Sequence, residues 1–177
     1  MNFWNQIGWI IPILPFLFLG KPPVMGQDYS MNPDFEKRVN SYLSFSVPVI
    51  SVEELKTNKK DYILLDTREI EEYKVSSIPG STHVGYRDFD IEFIRARVNY
   101  DQPIVVYCSI GYRSEKIGER LQEAGYRKVY NLYGSIFEWA NRGFPLVNPD
   151  NQSTTEIHTY NRRWSRWIKN QALQKTW

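Results

Sequence analysis

One stretch of the chain decides both its fold and its candidate site: Pro103-Ile104-Val105-Val106-Tyr107-Cys108-Ser109-Ile110-Gly111-Tyr112-Arg113-Ser114. Its first five residues are apolar and rich in β-branched side chains, which predicts a short buried strand. Apolar residues recur at helical spacing in segment 113–124, which predicts a helix that ends at Gly125. Cys108, the only cysteine of the chain, therefore lies at a strand–loop–helix junction.

A junction of this kind favours a reactive thiolate. The amide N–H groups of loop 109–113 can converge on one point, and the N-terminus of the helix adds partial positive charge. A free cysteine titrates near ~8.5, and lowering that pKa by about two units would make most of the thiol ionised at pH 7. The alternative is an inert cysteine buried at a strand end. The spacing of Gly111 and Arg113 after Cys108 favours the reactive thiol.

Four segments resemble, in the same order, the motifs of the rhodanese-like sulfurtransferases. The run Cys-x-x-Gly-x-Arg-Ser resembles the active-site loop of that family. The other three segments are Asp66-Thr67-Arg68 at the end of a predicted strand, Ile78-Pro79-Gly80-Ser81-Thr82-His83, and Gly134-Ser135-Ile136-Phe137-Glu138-Trp139. The resemblance covers residues 49–147 and implies an α/β, three-layer fold with a central parallel sheet flanked by helices. Predicted strands that alternate with helices along the chain favour the same arrangement.

The resemblance also implies an enzyme that moves a sulfane sulfur from a donor to a thiol or cyanide acceptor through a persulfide on the catalytic Cys108. The persulfide would be held by the loop residues Ser109, Ile110, Gly111, Tyr112, Arg113 and Ser114. Arg113 would attract anionic donors or brace the loop. Asp66 and Arg68 would support the loop, since an arginine–carboxylate pair can fix geometry. The donor would be a small-molecule or protein persulfide or thiosulfate, and no cofactor or metal is expected.

Two other functions stay open from the sequence. A phosphatase or arsenate reductase of the related Cys-loop fold has five residues between cysteine and arginine, whereas four separate Cys108 from Arg113. A non-catalytic rhodanese-like module that binds a partner would not need the intact cysteine. Ile110 and Tyr112 stand where many family members carry Arg or Lys, which predicts weak use of small anionic donors.

The composition argues against several other kinds of site. The chain has 22 basic and 20 acidic residues, a net charge of +2, and no polybasic run in its central region, so no nucleic-acid partner is expected. A single cysteine excludes an intramolecular disulfide and a cysteine-based zinc site. His83 and His158 are the only histidines, which argues against a multi-histidine metal site.

Residues 1–26 have the features of a signal peptide. Residues 1–20 carry no charged side chain, and the apolar run 7–19 has the length of a signal-peptide core but is short for a membrane span. Val24 and Gly26 suit the −3 and −1 positions of a cleavage site. We therefore expect an exported, periplasmic or otherwise extracytoplasmic protein. The alternative is an uncleaved N-terminal segment that anchors the protein in a membrane.

Residues 27–48 are expected to form a helical extension ahead of the 49–147 domain. Asn32-Pro33-Asp34 combines an N-cap residue, a proline at the first helical position and an early acid. This pattern predicts a helix that runs to about Leu43.

Residues 148–177 form a second extension, which is basic and aromatic. Between His158 and Trp177 there are five lysines and arginines and no acid, and the aromatic residues recur at helical spacing. The pattern predicts an amphipathic helix. We expect its aromatic face, including Trp164 and Trp167, to pack on the domain. Contact with an anionic membrane surface or an acidic partner is the alternative.

Overall fold

The structure is a computed structural model that describes residues 31–177. The expected signal peptide, residues 1–26, lies outside the described residues. Across residues 31–177, none of the helices has the length and apolar character needed to cross a bilayer.

A parallel sheet of five strands forms the centre of the molecule, as expected. Its strands lie in the order β1-β5-β4-β2-β3, and each neighbouring pair is parallel. Their bounds are β1 Val49–Ile50, β2 Ile63–Asp66, β3 Thr82–His83, β4 Ile104–Tyr107 and β5 Val129–Leu132. Strand β4, which precedes the cysteine, is therefore the central strand, and its carboxyl end meets those of β2 and β5 at one edge of the sheet.

Helices cover both faces of this sheet. Their bounds are α1 Pro33–Asn40, α2 Val52–Asn58, α3 Ile70–Val75, α4 Ile91–Arg95, α5 Tyr112–Glu123 and α6 Ser135–Asn141. Apolar residues of α1, α2 and α6 share one core cluster, while those of α4 and α5 belong to a second cluster. The three-layer fold class predicted from the sequence is thus confirmed.

Strand β4 shows why the sheet is buried on both faces. Val105 and Tyr107 belong to the core cluster with α6, and Ile104 and Val106 belong to the cluster with α5. All four side chains are fully buried. A parallel strand with helices on both sides is apolar at every position, which is the run visible in the sequence.

The N-terminal extension begins with a capped helix, as predicted, and is hydrogen-bonded to α5, the helix that follows the cysteine loop. Asn32 Oδ1 accepts the N–H groups of Asp34 and Phe35 at 3.1 and 3.2 Å, so it caps α1. The helix ends at Asn40 rather than near Leu43. After it, the buried carboxylate of Glu115 in α5 accepts the N–H groups of Ser44 and Ser46 at 2.9 and 3.1 Å.

The prediction of an amphipathic helix over residues 158–177 is wrong, because the structure has no α-helix there. The segment holds a 3₁₀ turn at Ser165–Trp167 and the strand β9 Gln174–Thr176, which pairs in parallel with β8 Glu156–His158. Before them, β6 Leu146–Val147 and β7 Ser153–Thr154 form a small antiparallel pair.

Side-chain hydrogen bonds replace the helical ones in this segment. Tyr160 has φ of 65°, which interrupts a right-handed helix. Asn161 Oδ1 accepts the N–H of Trp164 at 3.1 Å, and Asn141 of α6 accepts the N–H of Lys169 at 2.7 Å and donates to the carbonyl of Trp167 at 2.9 Å. Asparagine competes for backbone groups in this way, and periodicity of the aromatic residues does not reveal it.

The tail docks through its tryptophans, but their ring contacts are with the N-terminal extension rather than with the expected 49–147 domain, and Trp167 lies in a 3₁₀ turn rather than an α-helix. Trp167 packs on Phe35 of α1 with ring centroids 5.6 Å apart, and Trp164 packs on Tyr42 at the same centroid separation. Ile157 and Ile168 are buried in the same core cluster. The tail therefore contacts the N-terminal extension, and the two extensions form one surface.

Candidate active site

The loop that carries Cys108 connects the central strand β4 to α5. Gly111 precedes the first turn of α5 and has φ of +120°, a left-handed conformation that favours glycine. A Cβ at Gly111 would also lie 3.2 Å from a methyl group of Leu43. The backbone conformation of the loop therefore requires glycine at position 111, the Gly of the Cys-x-x-Gly run.

The thiol of Cys108 is buried in this loop and is stabilised as a thiolate. The N–H of Gly111 donates to Cys108 Sγ at 3.2 Å. Burial raises the pKa of the Cys108 thiol, but the charge of Arg113 and hydrogen bonds from Ser114 and Gly111 lower it by more, so the net pKa lies below the ordinary value. Within residues 31–177 no histidine hydrogen-bonds to Cys108: His83 Nε2 lies 2.8 Å from the carbonyl of Arg68, and His158 Nδ1 accepts the N–H of Tyr160 at 3.1 Å.

The start of helix α6 holds the loop from the other side. Ser135 Oγ accepts the N–H of Cys108 at 3.1 Å, while the N–H groups of Ile136 and Phe137 donate to the carbonyls of Cys108 and Ser109, each at 3.2 Å. Two loop carbonyls are therefore occupied by the helix N-terminus. Gly134 and Ser135 reach this position with φ of 70° and 52°.

Arg113 braces the loop through a carboxylate. Its Nη1 lies 2.5 Å from Glu72 Oε2, its Nη2 lies 2.8 Å from Glu72 Oε1, and Nη2 also donates to Ser109 Oγ at 2.9 Å. Ser109 Oγ in turn donates to Glu72 Oε1 at 2.9 Å. Burial raises the pKa of Glu72, but the hydrogen bond and charge of Arg113 and the charge of Arg68 outweigh it, so that pKa is lowered. Of the two roles expected for Arg113, bracing is the one that this geometry supports.

Glu72 belongs to the site, although sequence reasoning did not assign it a role. It occupies the first turn of α3, where its carboxylate also accepts the N–H of Glu69 at 3.2 Å. Its position resembles an ordinary acid that caps a helix, and nothing local in the sequence identifies a partner 41 residues away.

Asp66 and Arg68 are brought together beside α3 rather than against the cysteine loop. Their salt bridge is fully buried, with 2.6 Å between Arg68 Nη2 and Asp66 Oδ2. Arg68 Nη2 also donates to the carbonyl of Ser76, which ends α3, at 2.6 Å. The pair thus holds the helix that carries Glu72. Its supporting role in catalysis stays a prediction.

A second residue that sequence reasoning missed is Asn131, fully buried in β5. Its Nδ2 donates to the carbonyl of Gly111 at 2.9 Å, and its Oδ1 lies 2.7 Å from Ser114 Oγ. A buried asparagine in a central strand satisfies its polar atoms in this way. The contacts fix the junction between the loop and α5.

A cavity of about 370 Å³ opens over the cysteine, and we call it the Cys108 cavity. Its lining combines loop residues with aromatic side chains from both extensions: Tyr42, Glu69, Tyr86, Arg87, Cys108, Ser109, Ile110, Tyr112, Arg113, Tyr160 and Trp164. A larger, more open cleft of about 500 Å³ lies beside α1 and has mostly charged walls without a cysteine. We therefore place the candidate active site in the Cys108 cavity.

Comparison with known proteins agrees with this geometry. Residues 51–142, just over half of the chain, match the family model described as a rhodanese-like domain. A sulfurtransferase of Allochromatium vinosum is 32% identical over 91 residues, which cover 51% of this chain and 83% of that protein. The thiosulfate sulfurtransferase GlpE of Actinobacillus succinogenes is 32% identical over 84 residues, with 48% and 74% covered.

Other similarities concern part of a relative or the fold alone. The putative sulfur carrier protein YrkF of Bacillus subtilis is 31% identical over 100 residues, and the match spans 55% of this chain and about half, 53%, of that relative. Among solved structures, the BH2092 protein of Bacillus halodurans has a TM-score of 0.54 at 20% identity, with 66% of this chain and 87% of that chain covered.

Proposed function

Because the chain belongs to the rhodanese-like domain family, whose members include proteins named sulfurtransferase, we propose that it is itself a sulfurtransferase that works through a persulfide on Cys108. The observation that carries the proposal is the buried Cys108 thiol, which accepts the N–H of Gly111 at 3.2 Å and whose pKa is lowered. A thiolate is the form that attacks sulfur.

The proposed reaction has two covalent steps. The Cys108 thiolate attacks the outer sulfur of a donor, the bond between that sulfur and the rest of the donor breaks, and the remainder leaves with the electron pair. This forms the Cys108 persulfide anion. A thiolate or cyanide acceptor then attacks the outer sulfur of the persulfide, which releases the acceptor–sulfur product and restores the Cys108 thiolate.

The loop supports this chemistry through its backbone. Two loop carbonyls are bound by the N-terminus of α6, which holds the loop in the conformation that directs the N–H of Gly111 at sulfur. Preorganised amides need little reorganisation when the negative charge moves from Sγ to the outer sulfur. The acceptor, whether a small thiol, a protein thiol or cyanide, is part of the proposal.

A phosphatase or arsenate reductase function is less well supported. Glu72 and Ser109 accept three of the five N–H donors of Arg113, with both distances to Glu72 at or below 2.8 Å, which leaves fewer donors for phosphate oxygens. A non-catalytic binding module is less well supported because such a module does not need a thiol with a lowered pKa.

Intact-mass measurement after incubation with sulfur donors tests the proposal. The full chain is treated with thiosulfate or glutathione persulfide, and we expect a gain of one sulfur atom that a thiol or cyanide then removes. Cys108→Ser is the matched control because it is close to isosteric, and it should gain nothing while it retains its circular dichroism spectrum. Absence of a sulfur gain with every donor, or turnover by Cys108→Ser, would exclude the proposed mechanism.

A further inference from the structure

We propose that the sulfur donor carries an aromatic ring next to its sulfane sulfur, and that this ring binds against three aromatic side chains of the Cys108 cavity. This inference rests on the proposed function. The three residues, Tyr42, Tyr112 and Trp164, are called the aromatic wall. Tyr42 and Trp164 lie outside residues 51–142, the segment that matches the family model. The two extensions of this chain therefore contribute aromatic side chains to the site, in addition to those of the family domain.

The aromatic wall is a contiguous set of rings. Tyr42 meets Tyr112 edge-on, with ring centroids 6.2 Å apart and an interplanar angle of 71°, and it meets Trp164 at 5.6 Å and 59°. All three residues line the cavity that contains Cys108. Tyr112 is 42% exposed, so its ring has free surface. Rings packed in this way leave edges and faces on which a further ring can stack.

Arg38 braces the wall and does not line the cavity. Its guanidinium carbon lies 4.9 Å from the ring centroid of Tyr42 and 5.5 Å from that of Trp164. Its Nη2 also donates to the hydroxyl of Tyr42 at 3.1 Å. These contacts restrict the motion of the two rings before a ligand binds. Such preorganisation reduces the side-chain entropy that is lost on binding.

The charges of the cavity do not favour a small dianion. Of the described residues that line it, both arginines face a carboxylate: Arg113 is paired with Glu72, and Arg87 Nε lies 3.7 Å from Glu69 Oε1. The ring of Tyr160 lies 5.5 Å from the Arg113 guanidinium carbon and covers it from the side of the tail. A donor such as thiosulfate would therefore meet Arg113, whose charge is paired with Glu72, and Arg87, whose side chain is 80% exposed and screened by water, whereas an aromatic donor would meet apolar surface.

The size of the cavity points the same way. Its volume of about 370 Å³ falls in the range that holds organic ligands, roughly 300–1,000 Å³. Thiosulfate, with five heavy atoms, would leave most of this volume to water. Because the aromatic wall and Cys108 line the same cavity, a donor ring that binds to the wall lies in the cavity that contains Sγ.

Thiosulfonate anions supply a matched set of donors for the test. In benzenethiosulfonate the Cys108 thiolate attacks the outer sulfur, the sulfur–sulfur bond breaks, and benzenesulfinate leaves with the electron pair. Methanethiosulfonate reacts in the same way and carries the same charge, but it has no ring. The rate of Cys108 persulfide formation is followed with the full chain by rapid quench and intact mass, and each rate is divided by that donor's rate with a small free thiol.

We expect normalised loading from benzenethiosulfonate to be roughly 3- to 10-fold faster than from methanethiosulfonate, the factor that one aromatic contact supplies. Trp164→Ala should remove most of this ratio, whereas Trp177→Ala should keep it. Trp177→Ala is the control because Trp177 is 60% exposed and lies outside the cavity lining. If Trp164→Ala fails to fold by circular dichroism, Tyr112→Leu at the exposed rim replaces it.

The outcomes separate this inference from the proposed function. Equal normalised rates for the two donors in the unaltered protein, or a ratio that survives both wall variants, would overturn the aromatic-donor inference while the sulfurtransferase assignment stands. Failure of every donor to load sulfur on Cys108 would overturn the proposed function and the inference with it.

Discussion

Arg113 and Glu72 form a two-pronged ion pair, with Nη1–Oε2 and Nη2–Oε1 distances of 2.5 and 2.8 Å, across a separation of 41 residues. The pair joins the helix after the cysteine loop to the helix that Asp66 and Arg68 hold. The negative charge of Glu72 also offsets part of the positive charge of Arg113. The electrostatic effect of Arg113 on the Cys108 thiol is therefore weaker than that of an unpaired arginine.

Removing the charge of Glu72 should therefore lower the pKa of Cys108 further. In Glu72→Gln the amide keeps the shape of the carboxyl group, while the charge of Arg113 is no longer balanced. The rate of iodoacetamide alkylation against pH, or thiolate absorbance at 240 nm, measures the shift. Glu71→Gln, at an exposed position of the same helix, is the control. A Cys108 pKa that is unchanged or higher in Glu72→Gln would show that the carboxylate does not screen the thiol.

The same residue should make stability depend on pH in acid. The pKa of Glu72 is lower in the folded state than its ordinary value of 4.5, so the folded state favours the charged form. The resulting stabilisation is fully present above the unfolded pKa and is lost as pH falls through the folded pKa, that is, below about 4.5. We expect denaturant midpoints of the unaltered chain to decline more steeply below pH 4.5 than those of Glu72→Gln. Parallel profiles for the two proteins would contradict this linkage.

Ser135 should stabilise the loop through one hydrogen bond at the expense of backbone strain. Ser135→Ala leaves the buried N–H of Cys108 without its acceptor, which should cost about 1–3 kcal/mol of the free energy of unfolding. Ser135→Gly also loses the acceptor but relieves the φ of 52°, so its loss should be smaller by about 1 kcal/mol. Urea titration of both variants measures the difference. Equal losses for Ala and Gly would mean that the left-handed backbone carries no strain.

The tail should contribute to global stability through Trp167. Its ring packs on Phe35 of α1, and truncation to alanine should cost about 2 kcal/mol, which is a fall in melting temperature of roughly 4–8 °C in a chain of this size. Trp177→Ala is again the matched control and should leave the melting temperature within about a degree, since exposed positions rarely contribute. An unchanged melting temperature in Trp167→Ala would favour the alternative in which the tail contacts an anionic membrane surface or an acidic partner.

The contrast between the loop and the tail explains how far the sequence could predict this structure. The cysteine junction depends on neighbours in sequence: an apolar strand, Gly111 with its positive φ, and a helix, so local pattern is enough. The contacts of Glu72 with Arg113 and of Asn131 with Gly111 join residues that are 41 and 20 positions apart, and no local signal encodes them. In the tail the aromatic spacing indicated which side chains pack, but asparagines and β-branched threonines at its ends favoured turns and strands over a helix.

Donor preference should change when a cation is added at the cavity rim. Tyr112 is 42% exposed and lines the Cys108 cavity, so Tyr112→Arg adds a positive charge at a position that is now uncharged. We expect the Michaelis constant for thiosulfate to fall roughly 2- to 5-fold at low ionic strength, the size of an exposed ion pair. Added salt should reverse the gain because it screens the charge.

Tyr100→Arg, at a residue that is 48% exposed and does not line the cavity, controls for a general effect of net charge. Because Tyr112→Arg also removes one ring of the aromatic wall, the rate with benzenethiosulfonate should decline in the same variant. Thiosulfate kinetics that are unchanged at low ionic strength would mean that charge at the rim does not set donor choice.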